Sequence, residues 1–272
     1  MDPSAPDAQD EPFLSDLLVA IRFYSRLPVP RLSGEKNPYR LPDFDRITPI
    51  LPLASLIIAL PATLVLIAAD YCLSSLLAAS LAIATQLLVT GAFHEDGLAD
   101  VADGFGGGHD RASRLTIMTD SRLGTYGAAA LILSLIIRIL ALANLLELEG
   151  GPEAGLLWLC AAPLSRVIGL FPMMLLDNAK PDGKAAQVGK ASRKSFAMAL
   201  ILAILIAFVL PLGIEADMGP LALAIVLALL SPLPLLNLAK KLIGGQTGDV
   251  AGAAQQIAEI TFLLALSAHW AG

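Results

Sequence analysis

Between His94 and Gly104 the chain sets Glu95, Asp96, Asp100 and Asp103, with no lysine or arginine among them. On a helix Asp96, Asp100 and Asp103 fall at i, i+4 and i+7 and project from one face. Like charges at that spacing destabilise a bare helix, so a cation between them is expected. An oxygen-only donor set suits a hard divalent ion, Mg2+ above all when a phosphate supplies the remaining ligands.

The residues that follow extend this chemistry. Asp120 arrives beside Arg122 as a further ligand or a base, and Gly104, Gly106, Gly107 and Gly108 offer backbone N–H groups that a phosphate could approach. Metal, arginine and glycine together suit phosphoryl transfer, where positioning and charge neutralisation do most of the catalysis. The plain alternative is a solvated acidic loop. A second polar island, Gly244-Gly-Gln-Thr-Gly-Asp249, opens the last apolar run, where N–H groups and the positive helix end can hold an anion. Its plain alternative is a loop in which Asp249 caps the helix. With Mg2+ as the metal, His94 is expected to touch substrate rather than ligate. Lys180 to Lys194 reads as a solvated loop that orients the chain.

What must position these groups is a membrane bundle. The chain has 272 residues, 56% hydrophobic and 15% charged, where soluble domains carry about 25% charged residues. Continuous apolar runs, long enough to cross about 30 Å of hydrocarbon, argue for helices and against an alternating β-barrel. The reading is an all-α polytopic bundle with seven spans, near 47–69, 71–93, 123–146, 154–176, 194–215, 219–238 and 250–271. Residues 47–272 form one transmembrane catalytic domain, with polar loops at 94–122 and 239–249. Before it, Met1 to Pro12 is acidic and is expected to be disordered. Phe13 to Leu27 reads as an amphipathic helix lying in the membrane interface, followed by a polar loop to Arg46. Cys72 and Cys160 lie in or beside apolar runs and are expected to be buried structural thiols.

Charge placement orients the bundle. Of the 18 lysines and arginines, all but Arg138 and Arg166 lie before span one or after spans two, four and six. The connections after spans one, three and five carry only acids, among them Asp70, Glu147, Glu149, Glu153 and Asp217. The positive-inside rule then puts the N-terminus and the acidic motif in the cytoplasm. Arg138 and Arg166 fall inside spans. There a charge either pairs with an intramembrane acid such as Glu259 or serves a substrate phosphate.

With these residues in view, the chain resembles the cobalamin synthase family, whose members are also called adenosylcobinamide-GDP ribazoletransferases. The resemblance rests on Phe23-Tyr-Ser-Arg-Leu-Pro-Val-Pro30, Gly91-Ala-Phe-His-Glu-Asp-Gly-Leu-Ala-Asp-Val-Ala-Asp-Gly104, Asp120-Ser-Arg-Leu-Gly-Thr-Tyr-Gly127, Ser165-Arg166 and Gly244-Gly-Gln-Thr-Gly-Asp249, in the family's order across almost the whole chain. Tyr126 stands where some members carry His, and Gln256 where some carry Glu, so neither is expected to be an indispensable acid or base. The resemblance implies an Mg2+-dependent final stage of cobalamin assembly at the bacterial inner membrane. A hydroxyl of α-ribazole, or of its 5′-phosphate, attacks the cobinamide-side phosphorus of adenosylcobinamide-GDP, and GMP leaves. It assigns Asp96, Asp100 and Asp103 to Mg2+ and the diphosphate, and Asp120 or Asp249 to the base. Arg122 and Arg166 would neutralise phosphate charge, while His94, Glu95, Ser121, Gln246 and Thr247 would contact substrate. The partners implied are these small molecules and the lipid bilayer, not nucleic acid.

Two rivals share parts of the pattern. CDP-alcohol phosphotransferases use a similar Asp-rich motif but continue with Ala-Arg, whereas Ala99 here is followed by Asp100. Intramembrane prenyltransferases need two acidic motifs, and one is present. A cation or corrinoid transporter would place its acids near the bilayer midplane rather than in a loop.

Overall fold

Continuous apolar runs satisfy their backbone internally as helices, and helices are the regular structure of this chain. The computed structural model describes residues 13–32, 41–180, 189–214 and 217–268. The expected acidic tail at 1–12 lies outside the described residues. So do part of the polar loop (33–40), most of the Lys180–Lys194 loop (181–188) and the last residues of the final span (269–272).

The elements are α1 (Phe13–Tyr24), α2 (Phe44–Ile47), α3 (Leu51–Asp70), α4 (Ser75–Thr90), α5 (Phe93–Gly107), α6 (Arg111–Ile117), α7 (Thr125–Glu149), α8 (Gly151–Ile168), α9 (Phe171–Leu175), α10 (Arg193–Val209), α11 (Met218–Leu230), α12 (Leu233–Ile243) and α13 (Gly248–Ser267). Among the described residues the only β-type pairing is an isolated parallel bridge between Asn178 and Gln246. Six helical stretches are long and apolar enough to cross a membrane. The stretch that includes α8 is 89% buried and runs through the middle, whereas the one beginning with α10 is 22% buried and faces outward. The main apolar core joins α3, α4, α7, α8, α11 and α13, with many alanines that let the backbones approach closely.

The span expected at 71–93 differs from its reading. It is a broken pair, α4 and α5, bent by 89°. Gly91 ends α4 in the left-handed region (φ 66°), and Ala92 follows at φ 56°. A left-handed alanine costs roughly 1–2 kcal/mol, so surrounding packing must hold this break. The backbone N–H of Arg26 donates to the Val89 carbonyl at 2.7 Å. A Cβ on Gly91 would stand 2.2 Å from Arg26 Nε, so the arginine closes over the break.

The expected loop at 94–122 is therefore mostly helix. From the break, α5 runs along α7 and α13 from the level of Arg138 toward the first turns of both helices. Glu95 near its start meets Arg138, far along α7, while Asp103 meets Gly124 and Gly127 at the beginning of α7. The glycine run does not serve as a phosphate loop: Gly104 to Gly107 are helical, and the Gly108 N–H donates to the Gly104 carbonyl. Its missing side chains instead admit Met118, Tyr126 and Arg114 against Gly104, Gly106 and Gly108.

The N-terminal helix α1 docks on the bundle, with Leu18, Val19, Ala20, Ile21 and Tyr24 buried and Phe13 and Leu14 exposed. Asp16 anchors it through a 2.9 Å ion pair to Arg46. The acidic connections gather at one end, where Asp70 lies against Gly151. At the other end Arg111 donates to the Ala179 carbonyl at 2.9 Å and Lys180 to that of Leu115 at 3.0 Å. Of the two thiols Cys160 is buried, but Cys72 is exposed in the turn after α3.

Candidate active site

The acidic residues sort themselves by which face of α5 they occupy. Asp96 is exposed, Asp100 half-buried and Asp103 buried, all along the face read from their spacing. Beside this face α13 crosses α5 at Gly97 and Gly252. A Cβ on Gly97 would stand 2.9 Å from the Asp249 carbonyl oxygen, and one on Gly252 would stand 3.3 Å from that of His94. Only glycine allows so close a crossing, and it sets Asp249 next to the α5 acids. The carboxylates acting on Asp100 are, in decreasing strength, Asp249, Asp96 and Asp103.

Asp103 has its own task. Its Oδ2 accepts from the Gly124 N–H at 2.7 Å and its Oδ1 from the Gly127 N–H at 2.8 Å. Both oxygens thus cap the start of α7, where free N–H groups would otherwise be unsatisfied. A Cβ on either glycine would fall within 2.4 Å of these oxygens.

The Gly244–Asp249 island is held from below. Gln246 exchanges backbone hydrogen bonds with Asp177 and Ala179, each at 2.8 Å, and its side-chain amide donates to Asn178 Oδ1. Capping of α13 falls to Thr247 rather than Asp249: Thr247 Oγ1 accepts from the Val250 N–H at 3.3 Å and donates to Asp249 Oδ2 at 3.1 Å. Asp249 is thereby turned to the acidic face. The segment Asp177 to Ala179, which sequence reasoning passed over, backs this island, and Lys180, read as the start of a solvated loop, instead donates to the Leu115 carbonyl. The polar Asp-Asn-Ala-Lys run after an apolar span was the available signal.

His94, Glu95 and Arg166 lie on the opposite, buried side of α5. His94 stacks on Tyr24 with ring centroids 5.9 Å apart and planes 10° from parallel. Glu95 Oε1 pairs with Arg138 Nη1 at 2.7 Å. Arg166 is buried with no hydrogen-bond partner for Nε or Nη1 among the described residues. The pairing of Arg138 with Glu259, expected as the plain alternative, is present at 3.0 Å.

Asp120, Ser121 and Arg122 occupy the turn between α6 and α7, apart from the charges that act on Asp100. Arg122 donates to Asp120 through its side chain at 2.5 Å and its backbone N–H at 3.1 Å. These hydrogen bonds, side chain first, hold the Asp120 carboxyl down at about 2.

The cluster of Asp96, Asp100 and Asp249 has the chemistry of a hard-cation site: oxygen donors only, mutually repelling, with no lysine or arginine paired to Asp100. Among the described residues no three His, Cys, Asp or Glu side chains already converge at metal-holding distance.

Fold and site define a multi-pass helical membrane protein with a carboxylate site at the basic end of its bundle. The sequence profile described as cobalamin-5-phosphate synthase matches residues 16–267. An adenosylcobinamide-GDP ribazoletransferase from Azorhizobium caulinodans is 44% identical over 252 residues, 92% of this chain and 94% of the relative. One from Xanthobacter autotrophicus is 43% identical, over 92% of this chain and 94% of its own. A third, from Sinorhizobium medicae, is 44% identical over 94% of this chain and 97% of its own. No solved structure matches the chain. The chain belongs to the cobalamin-5-phosphate synthase family and is a transferase of the final stage of cobalamin biosynthesis.

Proposed function

We propose that the chain joins adenosylcobinamide-GDP to α-ribazole, or to α-ribazole 5′-phosphate, on the cytoplasmic side of the bacterial inner membrane. The observation that carries this reading is the Gly97–Gly252 crossing, which brings Asp249 beside the acidic face of α5, where its charge acts on Asp100 more strongly than that of Asp96 or Asp103. Family membership and the names of the relatives supply the substrates; the clustering of Lys and Arg at one end supports the orientation.

In this reading Asp96 and Asp100 would hold Mg2+ beside Asp249, and the ion would supply positive charge for the diphosphate. Asp103 keeps the start of α7 in place beside them. Asp249, half-buried and steadied by Thr247, receives the proton of the attacking hydroxyl in preference to Asp120, whose ion pair makes it a weak base. The ribazole hydroxyl oxygen forms a bond to the cobinamide-side phosphorus. The bond from that phosphorus to the bridging oxygen breaks, and GMP leaves with the electron pair.

The test supplies membranes with adenosylcobinamide-GDP, α-ribazole and Mg2+, and scores GMP release and the cobalamin product. Asp96→Asn and Asp249→Asn are each expected to lower turnover by about 100-fold or more, the scale of losing a charge that acts in the transition state. Near-normal Mg2+-dependent turnover in either variant would remove that residue from the site.

A further inference from the structure

Arg138 is fully buried in the middle of α7 and holds four side chains from three other helices. Nη1 donates to Glu95 Oε1 on α5 at 2.7 Å and to Gln256 Oε1 on α13 at 3.2 Å. Nη2 donates to Gln86 Oε1 on α4 at 2.7 Å and to Glu259 Oε1 on α13 at 3.0 Å. Cross-links complete the set: Gln256 Nε2 donates to Glu95 Oε1 at 3.2 Å and Gln86 Nε2 to Glu259 Oε1 at 3.1 Å. One guanidinium therefore ties together both halves of the broken span and the helix that carries Asp249.

The chemistry explains why arginine stands here. Its planar fork makes parallel bonds that a lysine cannot reproduce. A charge this deep is expensive unless paired and hydrogen-bonded, so the arrangement tolerates little displacement of its partners. Glu95 directly precedes Asp96. Since each helical residue turns about 100°, any rotation of α5 that frees Glu95 carries Asp96 and Asp100 off the Asp249 side. Gln256 and Glu259 fix the rotation of α13 in the same way, two turns or so below Asp249.

We propose that Arg138 is the positioning residue of the carboxylate site, fixing α5 against α13 through Glu95, Gln256 and Glu259 so that Asp96 and Asp100 stand opposite Asp249. The proposal rests on the metal-site reading above. It makes Glu95 a strut of the catalytic helix rather than a contact for substrate.

The experiment uses the full-length protein in lipid nanodiscs and follows Mn2+ binding by electron paramagnetic resonance, with steady-state turnover alongside. Arg138→Gln and Glu95→Gln are each expected to weaken Mn2+ binding about 10- to 100-fold, the range for residues that orient metal ligands. Turnover should fall through kcat, with KM for both organic substrates within about twofold, because the lost contact is not with substrate. The double variant should be no worse than the poorer single one, since the two act as one unit. Arg138→Lys should recover only part of the loss. Wild-type Mn2+ affinity in a folded Arg138→Gln protein overturns the proposal. Should that variant fail to insert, Glu95→Gln decides in the same way, because it keeps the side chain's shape and one carbonyl acceptor. A Glu95→Gln protein with normal Mn2+ affinity but raised KM would return Glu95 to substrate contact. No Mn2+ binding by the wild-type protein would overturn the metal reading itself, and the positioning role with it.

Discussion

Asp96 and Asp103 share one face of α5, yet one meets solvent and the other two backbone N–H groups. Their substitutions should part accordingly. Asp103→Asn replaces one accepting oxygen with a donor and should cost about 1.5–3 kcal/mol in thermal unfolding, the worth of a hydrogen bond to a charged group. Asp96→Asn should leave unfolding unchanged or slightly improved, by relieving repulsion, while Mn2+ binding drops. Equal unfolding temperatures for the two variants would deny Asp103 its capping role. Asp120 yields a prediction in pH. Its carboxyl is depressed to about 2, so its charge is present above its ordinary range near 4 and lost only as pH falls through about 2. Between pH 5 and 9 it does not titrate. The kcat/KM profile of Asp120→Asn should therefore keep the wild-type shape and differ only in height, whereas a missing acid limb would make Asp120 the base. Spacing within α5 made the acidic face legible from sequence. That Asp103 serves α7 was not, because its partners are backbone groups of a distant turn.

At the scale of elements, the membrane spans other than 71–93 were readable because each run carries its own signal, a length of apolar residues matched to the bilayer. The helix α5 was not. Its interior glycines each disfavour helix by about 1 kcal/mol relative to alanine, and only packing against α7 and α13 overrides them. What looked like a flexible phosphate loop is a helix thinned to admit its neighbours. Gly97 is the sharpest case. With a Cβ only 2.9 Å from the Asp249 carbonyl, Gly97→Val must push α13 away. Overpacking of about 1–3 kcal/mol is expected in thermal unfolding, together with loss of GMP release. Gly107→Ala, whose Cβ would find only Ile117 at 3.7 Å, is the matched control and should leave unfolding within about 0.5 kcal/mol of wild type.

At the scale of the whole molecule, the thiols report orientation. Cys72 is exposed at the acidic end, and Cys160 is enclosed in α8. A membrane-impermeant maleimide added to intact spheroplasts should label Cys72 alone. Labelling that requires permeabilisation would invert the proposed topology. Charge segregation is what argues for this orientation, since it depends on where the loops fall and not on how the helices pack. The buried polar core was legible only as isolated hints: Gln86, Arg138, Gln256 and Glu259 each interrupt an apolar run, but nothing in a one-dimensional pattern says that they meet.

Their meeting has a bearing on biogenesis. Glu95 is synthesised 43 residues before Arg138, and Glu259 another 121 residues after it. A nascent chain carrying Glu95 without its arginine has no partner for that carboxylate in the bilayer. The left-handed break at Gly91–Ala92 makes α5 a helix separate from α4, so insertion of α4 does not by itself carry Glu95 into the bilayer. The network around Arg138 is complete only with α13, so the helix that carries Asp249 is also the one that supplies the last partners of the buried arginine.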